Sequence, residues 1–267
     1  MTVHRLPLRD GRAIPALGLG TYGLKDPAAS VADGLDLGYR LIDTAAIYGN
    51  EREVGEGLRR AGVPRDEAFV TTKVWSDRQA DARASVLESM ERLRLDRLDL
   101  VLIHWPAPWL GRYVDAWRQL VALRAEGAVS SIGVSNFDAA QIDRLAEETG
   151  ETPVLNQVEL HPRLQQPALR AAMAERGVVT QSWTPLGRGL SFGDVAPIAE
   201  RLGRTPAQVI LRWHVEIGCS VIPRSNRREG IAENAAVFDF ALSPEDHALI
   251  AALDRGERTG GDPAQFG

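Results

Sequence analysis

A single cysteine, Cys219, stands in a chain of 267 residues, so no internal disulfide can form and the core alone must hold the fold. Basic residues are not in excess either: 31 Lys and Arg face 36 Asp and Glu, a net charge of −5. That balance gives no field for drawing in nucleic acid or an anionic membrane surface, and any local basic cluster needs a local explanation. No apolar run approaches the roughly 18 residues of a membrane-spanning helix. The opening MTVHRLPLRDG lacks the basic-then-apolar order of a secretory signal, so a cytoplasmic protein is expected. No low-complexity linker or break in composition divides the chain, and one domain over residues 1–267 is expected. His4, His161, His214 and His247 show no metal-ligand spacing, so they are expected to be structural or surface residues and no metal is expected. Nothing in the composition marks an oligomer interface, and a monomer is expected.

What is present is an alternation that runs from end to end. Short runs rich in Val, Ile and Leu at 39–42, 68–72, 98–103, 129–134, 154–158, 177–181 and 220–222 alternate with segments of helical period. With ALGLG at 16–20 as the first strand, the count is eight βα units, the number that closes a parallel barrel. The expected fold is a (β/α)8 TIM barrel, with VHRLPLRDGRAIPA forming a β-hairpin that turns at Asp10-Gly11 and plugs one end. Asp26-Pro27, Thr205-Pro206 and Ser243-Pro244 each pair an N-cap residue with a proline at the first helical position. Gly150, Gly218 and Gly256 are placed to close helices, and Val86, Leu87, Met90 and Leu93 to form one apolar helix face. Trp117 and Trp213, at helical spacing among apolar residues, are expected in the packing.

Active sites of such barrels form at the C-terminal ends of the strands. Asp43 ends the second strand, Lys73 the third in FVTTKVW and His104 the fourth in DLVLIHWP, and Tyr48 follows Asp43 in LIDTAAIYGNE. Four titratable side chains thus converge on one rim. Ser135 and Asn136 follow the fifth strand, Gln157 lies on the sixth, Trp183 follows the seventh, and Pro223-Arg224-Ser225 follow the eighth. A phenol is a poor acid at neutral pH, and an adjacent ammonium lowers its pKa by favouring the ionised form. Asp43 is expected to hold Lys73 charged, and His104 to orient a substrate oxygen by hydrogen bonding. Together they make a proton donor for an alkoxide. No activated Ser or Cys nucleophile accompanies them, so the driving chemistry is expected from hydride on a nicotinamide. Trp75, Trp105 and Trp109 lie just past strand ends and are expected to line a pocket.

The ordered motifs GLGTYGL, LIDTAAIYGNE, TTKVW, IHWP, SIGVSNF, NQVELHP, SWTPLGRGL and IPRSNRREGIAENAAVFDF resemble those of the aldo-keto reductase family over residues 17–240. The tail LDRGERTGGDPAQFG is similar to that of bacterial members related to 2,5-diketo-gluconate reductases. The resemblance implies NADPH-dependent reduction of small carbonyl compounds, with Asp43, Tyr48, Lys73 and His104 as a catalytic tetrad and Tyr48 as the acid. It implies that Ser135, Asn136 and Gln157 hold the carboxamide, that Trp183 stacks on the nicotinamide and that Leu186 lies in the pyrophosphate loop. Arg224, Ser225, Asn226 and Arg227 match the clamp on the adenosine 2′-phosphate, and Gly20, Thr21 and Asn234 also fall at cofactor-binding positions. Two departures stand out. Tyr22 replaces the family's usual Trp or Phe in the first loop and offers the pocket wall a hydroxyl. Gly230 replaces an Arg near the adenine, which predicts a looser NADPH preference that Gly230→Arg would tighten.

Other readings compete with this one. GLGTYG at 18–23 spells G-x-G-x-x-G with Asp43 following, as in a Rossmann fingerprint, but the helix start falls at Asp26-Pro27, outside the glycines. A short-chain dehydrogenase needs Tyr and Lys four apart on a helix, and Tyr48 and Lys73 are not. A cofactor-sensing module with little turnover predicts NADPH binding without reduction, and a phosphate-sugar isomerase predicts activity without nicotinamide.

Overall fold

Alternation of side chains along each strand decides where the site sits. The computed structural model describes residues 4–267, so Val3 of the expected hairpin lies outside the described residues. Strands β1 (Arg5–Pro7) and β2 (Ala13–Pro15) pair antiparallel, and the turn between them holds Gly11 at φ 84°. Eight strands follow: β3 (Leu19–Gly20), β4 (Leu41–Asp43), β5 (Phe69–Val74), β6 (Leu98–Ile103), β7 (Val129–Ser135), β8 (Leu155–Glu159), β9 (Val179–Trp183) and β10 (Ser220–Val221). Each pairs with its chain neighbour, and every pairing is parallel. Leu17 and Val221 form a parallel bridge, and Gly18 N and Gly20 N donate to Val221 O and Pro223 O, which brings the first strand against the last and closes the barrel. At that seam Gly20 is needed, because a Cβ there would stand 2.9 Å from the Ile222 carbonyl oxygen.

Ile42, Val70, Val101, Ile132 and Val134 are buried outward against the helices. Their neighbours Leu41, Leu100, Leu102 and Leu155 pack inward with Leu8 and Ile14 of the hairpin. Ser131 Oγ donates to Asp10 Oδ2 at 2.7 Å, tying the hairpin turn to the barrel wall. The hairpin therefore plugs the N-terminal end of the barrel, as expected. Toward the C-terminal ends the inward positions turn polar, with Asp43, Lys73, Gln157 and Gln181 all buried.

The helices are α1 (Pro27–Asp36), α2 (Glu51–Ala61), α3 (Ala82–Leu93), α4 (Tyr113–Ala125), α5 (Ala139–Thr149), α6 (Pro167–Glu175), α7 (Phe192–Leu202), α8 (Pro206–Glu216), α9 (Arg228–Ala235) and α10 (Pro244–Ala251). Asp26 accepts from Ala29 N at the start of α1, and Thr205 and Ser243 form capping boxes with Gln208 and Asp246. Gly150 and Gly218 take positive φ at the ends of α5 and α8. Gly256, in contrast, closes no helix: α10 ends at Ala251 on a right-handed Ala252. Leu87 is also displaced from its expected place, being 43% exposed. Adjacent helical residues lie about 100° apart, so Val86 and Leu87 cannot both face the sheet; Ala82, Ser85, Val86, Ser89 and Leu93 do. Helix α7 is an addition between β9 and α8, outside the simple alternation. Trp117 and Trp213 are buried in the packing. Among the described residues no helix is long and apolar enough to cross a membrane, and no His, Cys, Asp and Glu cluster could hold a metal.

Candidate active site

Asp43 is the last residue of β4, and a 3-10 turn over Ala46–Tyr48, ended by Gly49 at φ 68°, swings Tyr48 back over it. The loop is pinned on both sides: Asn50 Nδ2 donates to Thr21 O at 2.9 Å, and Thr72 Oγ1 and Arg92 Nε donate to the buried Glu51 carboxylate. Lys73 of β5 is wholly buried, and its Nζ donates to Asp43 Oδ1 at 2.5 Å, Thr44 O at 2.9 Å and Tyr48 OH at 3.4 Å. His104, just past β6, packs edge-on to Tyr48 at 5.8 Å between ring centroids and to Trp75 at 5.0 Å. The four titratable residues predicted to converge do so.

Their protonation follows from burial and from one another. Burial raises the Tyr48 phenol above its ordinary value and outweighs the downward pull of Lys73, the reverse of the net lowering expected from the ammonium alone. Resting Tyr48 therefore keeps its proton. Burial opposes the Lys73 ammonium, but the Asp43 carboxylate outweighs it by charge and hydrogen bond, and its pKa is raised. Burial, reinforced by Lys73, pushes His104 well below the usual imidazole range, so it is a neutral ring. The arrangement is a neutral phenol beside a fixed cation and a neutral imidazole, which can give a proton to a developing alkoxide and stabilise the phenolate left behind.

On the far side, Ser135 Oγ donates to Gln157 O at 2.8 Å and Asn136 Nδ2 to His104 O at 3.0 Å. Trp183 Nε1 donates to Asn136 Oδ1 at 2.9 Å, so Asn136 links the indole to the His104 segment. Asn136 achieves this at φ 66°, a left-handed conformation that Asn tolerates better than most residues. Leu186 opens the 3-10 turn Gly187–Gly189, and Asn234 is buried on α9. At the N-terminus of α9, Arg224, Asn226 and Arg227 are exposed, and Ser225 is partly so. Arg224 Nη1 donates to Gly23 O at 3.0 Å, and Asn226 Oδ1 accepts from Lys25 N at 2.8 Å.

These residues fit a nicotinamide dinucleotide phosphate. The buried Thr21 Oγ1 and His104 Nδ1 have no protein partner. Among the described residues neither Arg224 nor Arg227 has a carboxylate partner, whereas Arg228 is occupied by Asp33 and Asp36 of α1. Two uncompensated guanidinium groups at a helix start suit a phosphate. Gly230 packs close to Ser225. A Cβ there would collide with the Ser225 hydroxyl, which bonds the Arg227 backbone on both sides. Gly230→Arg therefore requires the Ser225 hydroxyl to turn away from the Arg227 backbone.

The sequence names Tyr22, Trp75, Trp105 and Trp109 for the pocket wall. Tyr22 is 64% exposed and tilts against Tyr48 at 5.0 Å between centroids, and Trp105 is buried 6.2 Å from Trp183. Trp109 is 51% exposed on the 3-10 turn Pro108–Leu110, with no aromatic partner among the described residues. A residue the sequence did not single out joins the other tryptophans: Phe266 stands edge-on to Trp105 at 4.8 Å and to Trp75 at 6.3 Å. The tail is held there by Glu159, a buried carboxylate at the end of β8 that accepts from Thr259 N, Thr259 Oγ1, Gly260 N and His161 Nε2. Burial works to raise Glu159, yet these bonds prevail and lower its pKa. The available signal was one aromatic in a Gly-rich polar tail, and one acid at an inward strand position.

The Aldo/keto reductase family model matches residues 16–255. Methylglyoxal reductase DkgA of Salmonella typhimurium is 47% identical over 266 residues, covering 97% of each chain. A crystal structure of a Gox0644 point mutant in complex with NADPH superposes with a TM-score of 0.95 at 41% identity and covers 100% of each chain. A Bombyx mori aldo-keto reductase in complex with NADP gives a TM-score of 0.92 at 32% identity, covering 100% of this chain and 98% of its own.

Proposed function

The chain belongs to the aldo/keto reductase family, and on that ground we propose that it reduces aldehyde and ketone carbonyls to alcohols at the expense of NADPH, with Tyr48 as the proton donor. The observation that carries this is Lys73 Nζ placed between Asp43 Oδ1 and Tyr48 OH, at 2.5 and 3.4 Å. When bound, the cofactor supplies hydride to the carbonyl carbon. Tyr48 OH donates its proton to the carbonyl oxygen, and Lys73 stabilises the phenolate by its hydrogen bond and charge. Asp43 holds Lys73 charged and aimed. His104, being neutral, offers one N–H to the same oxygen without competing as an acid. Ser135, Asn136 and Gln157 would hold the carboxamide, Trp183 the nicotinamide ring, and Leu186, Gly20, Thr21 and Asn234 the rest of the dinucleotide. Arg224, Ser225, Asn226 and Arg227 would hold the 2′-phosphate. Tyr22, Trp75, Trp105 and Trp109 wall the substrate. The proposal extends to a one-domain monomer of residues 1–267 in the cytoplasm, in keeping with a net charge of −5 that suits neither nucleic acid nor anionic membranes.

NADPH consumption over a panel of aldehydes and keto sugars, with methylglyoxal first, tests the proposal. Turnover is expected, and tight NADPH binding without turnover would favour a sensor. Arg224 and Arg227 predict the cofactor preference. Charge-assisted bonds contribute roughly 1.5–3 kcal/mol each, discounted here by exposure and salt, so NADPH should bind about ten- to a thousandfold tighter than NADH, less so at high ionic strength. The Arg224→Ala/Arg227→Ala variant should lose most of that preference, as paired dissociation constants would show. Equal affinity of the parent for both cofactors would return these arginines to the solvated surface.

Phe266→Ala should act on substrate size. About half of a Phe burial energy, roughly 1 kcal/mol, corresponds to about a five-fold rise in KM for aromatic aldehydes. The KM for small oxoaldehydes should hardly move. An equal rise for both would place Phe266 in the general stability of the tail.

A further inference from the structure

Behind the site runs a hydrogen-bonded chain that the proton donor itself does not require. Gln157 Nε2 donates to Asp43 Oδ2 at 2.8 Å and also to Gln181 Oε1 at 2.7 Å. Gln181 Nε2 donates to Ser220 Oγ at 2.9 Å, and Ser220 Oγ donates in turn to the Pro15 carbonyl at 3.0 Å. The side chains come from β4, β8, β9 and β10, and all are buried. Gln157 and Gln181 are register partners across the β8–β9 pair, so their side chains meet on the inner face of the barrel.

Acceptors at the two ends set the polarity of everything between them. Asp43 already takes Lys73 on its other oxygen and can only accept from Gln157, and the Pro15 carbonyl can only accept from Ser220. An amide has one donor end and one acceptor end. Gln157 must therefore turn its NH2 toward Asp43, and Gln181 must turn its oxygen toward that NH2. The Gln181 NH2 is left for Ser220, whose hydroxyl is freed for Pro15. Flipping either amide would set two acceptors or two donors face to face in a buried place, where an unpaired group costs more than a made bond gains. One atom is left over by this arithmetic: Gln157 Oε1 accepts from no described residue.

We propose that Gln181 and Ser220 are positioning residues that lock the Gln157 amide in one orientation, with Nε2 on Asp43 and Oε1 presented as the acceptor for the carboxamide N–H of the nicotinamide. This rests on the assignment of Gln157 to the carboxamide. The same lock gives Asp43 its second donor, so the cofactor site and the Asp43–Lys73 pair share one rigid polar column, anchored at the hairpin plug.

The 3-acetylpyridine analogue of NADP+ tests the lock, because it carries a methyl ketone in place of the carboxamide and has no N–H to give. Dissociation constants for NADP+ and for the analogue, read from quenching of tryptophan fluorescence, give a ratio that general damage would leave unchanged. The wild-type ratio should be about five, the worth of one neutral hydrogen bond. Gln157→Leu should bring it to about one. Gln181→Met, which leaves Asp43 alone to fix the intact Gln157 amide, should lower it part of the way toward one, and Gln181→Glu, which keeps an acceptor for Gln157, should preserve it. Ser220→Ala gives a second route and should lower the ratio if the Met variant does not fold. A wild-type ratio of one, or one unchanged in Gln157→Leu, would overturn the carboxamide assignment and the lock together. A ratio that falls in Gln157→Leu but stays near five in Gln181→Met and Ser220→Ala would overturn the lock alone.

Discussion

Replacing Tyr48 with Phe is expected to lower kcat for carbonyl reduction on the order of 10²-fold or more, the usual contribution of a positioned general acid, with NADP+ affinity nearly unchanged. The ring remains, so its tilted contact with Tyr22 and its edge contact with His104 can persist. What is lost is the hydroxyl within 3.4 Å of Lys73 Nζ. Burial keeps that hydroxyl protonated at rest, His104 is held neutral, and the Lys73 ammonium, bonded to Asp43 and Thr44 O with its pKa raised, holds its proton too tightly to replace it. Steady-state kinetics with cofactor titration would check this. A Phe variant that keeps most of the parental kcat would move the proton donor elsewhere.

Lys73→Met is expected to cost kcat on the order of 10²–10³-fold, the scale seen when one donor to a developing oxyanion is removed. Its effect on pH dependence has a definite sign. Tyr48 must be protonated to act, so reduction fails as pH rises through its pKa, which burial has already raised. Lys73 pulls that pKa down, so its removal moves the alkaline limb further up and leaves a weaker acid. Stability suffers too, because Asp43 is left a buried carboxylate with Gln157 as its remaining side-chain donor; breaking such a pair costs about 3–5 kcal/mol. The Asp43→Asn/Lys73→Met double variant separates the two roles. It should recover much of the stability, since no unpaired charge remains, and none of the lost kcat. Recovery of kcat along with stability would make Lys73 a structural residue.

Chemistry-bearing residues at strand ends were legible because two periodicities agree there. Parallel strands alternate with helices, and each strand must end where its βα loop begins, so Asp43, Lys73 and His104 fall on one rim whatever the details of twist. Helix starts were legible for a local reason: Asp26, Thr205 and Ser243 bond backbone within three residues of themselves. What escaped depends on contacts between distant segments. Leu87 looks apolar in sequence, yet rotation of α3 is set by the sheet beneath it. Phe266 meets Trp75 and Trp105 from the other end of the chain. The close approach of Ser225 to Gly230 is likewise invisible in the sequence. The net pKa of Tyr48 could not be read either, because the sequence names the neighbouring cation and not the burial that outweighs it. Gln181 is a lone polar residue in a strand until Gln157 and Ser220 stand on either side of it.

Single-turnover reduction with NADPH deuterated at the transferable position of C4 tests the central claim most directly. Mass spectrometry of the product alcohol should find one deuterium on the former carbonyl carbon, with solvent supplying the hydroxyl proton, and the Tyr48→Phe variant should form the same labelled product far more slowly. Bound NADPH that is never oxidised, or an alcohol without deuterium on that carbon, would contradict hydride transfer at this site.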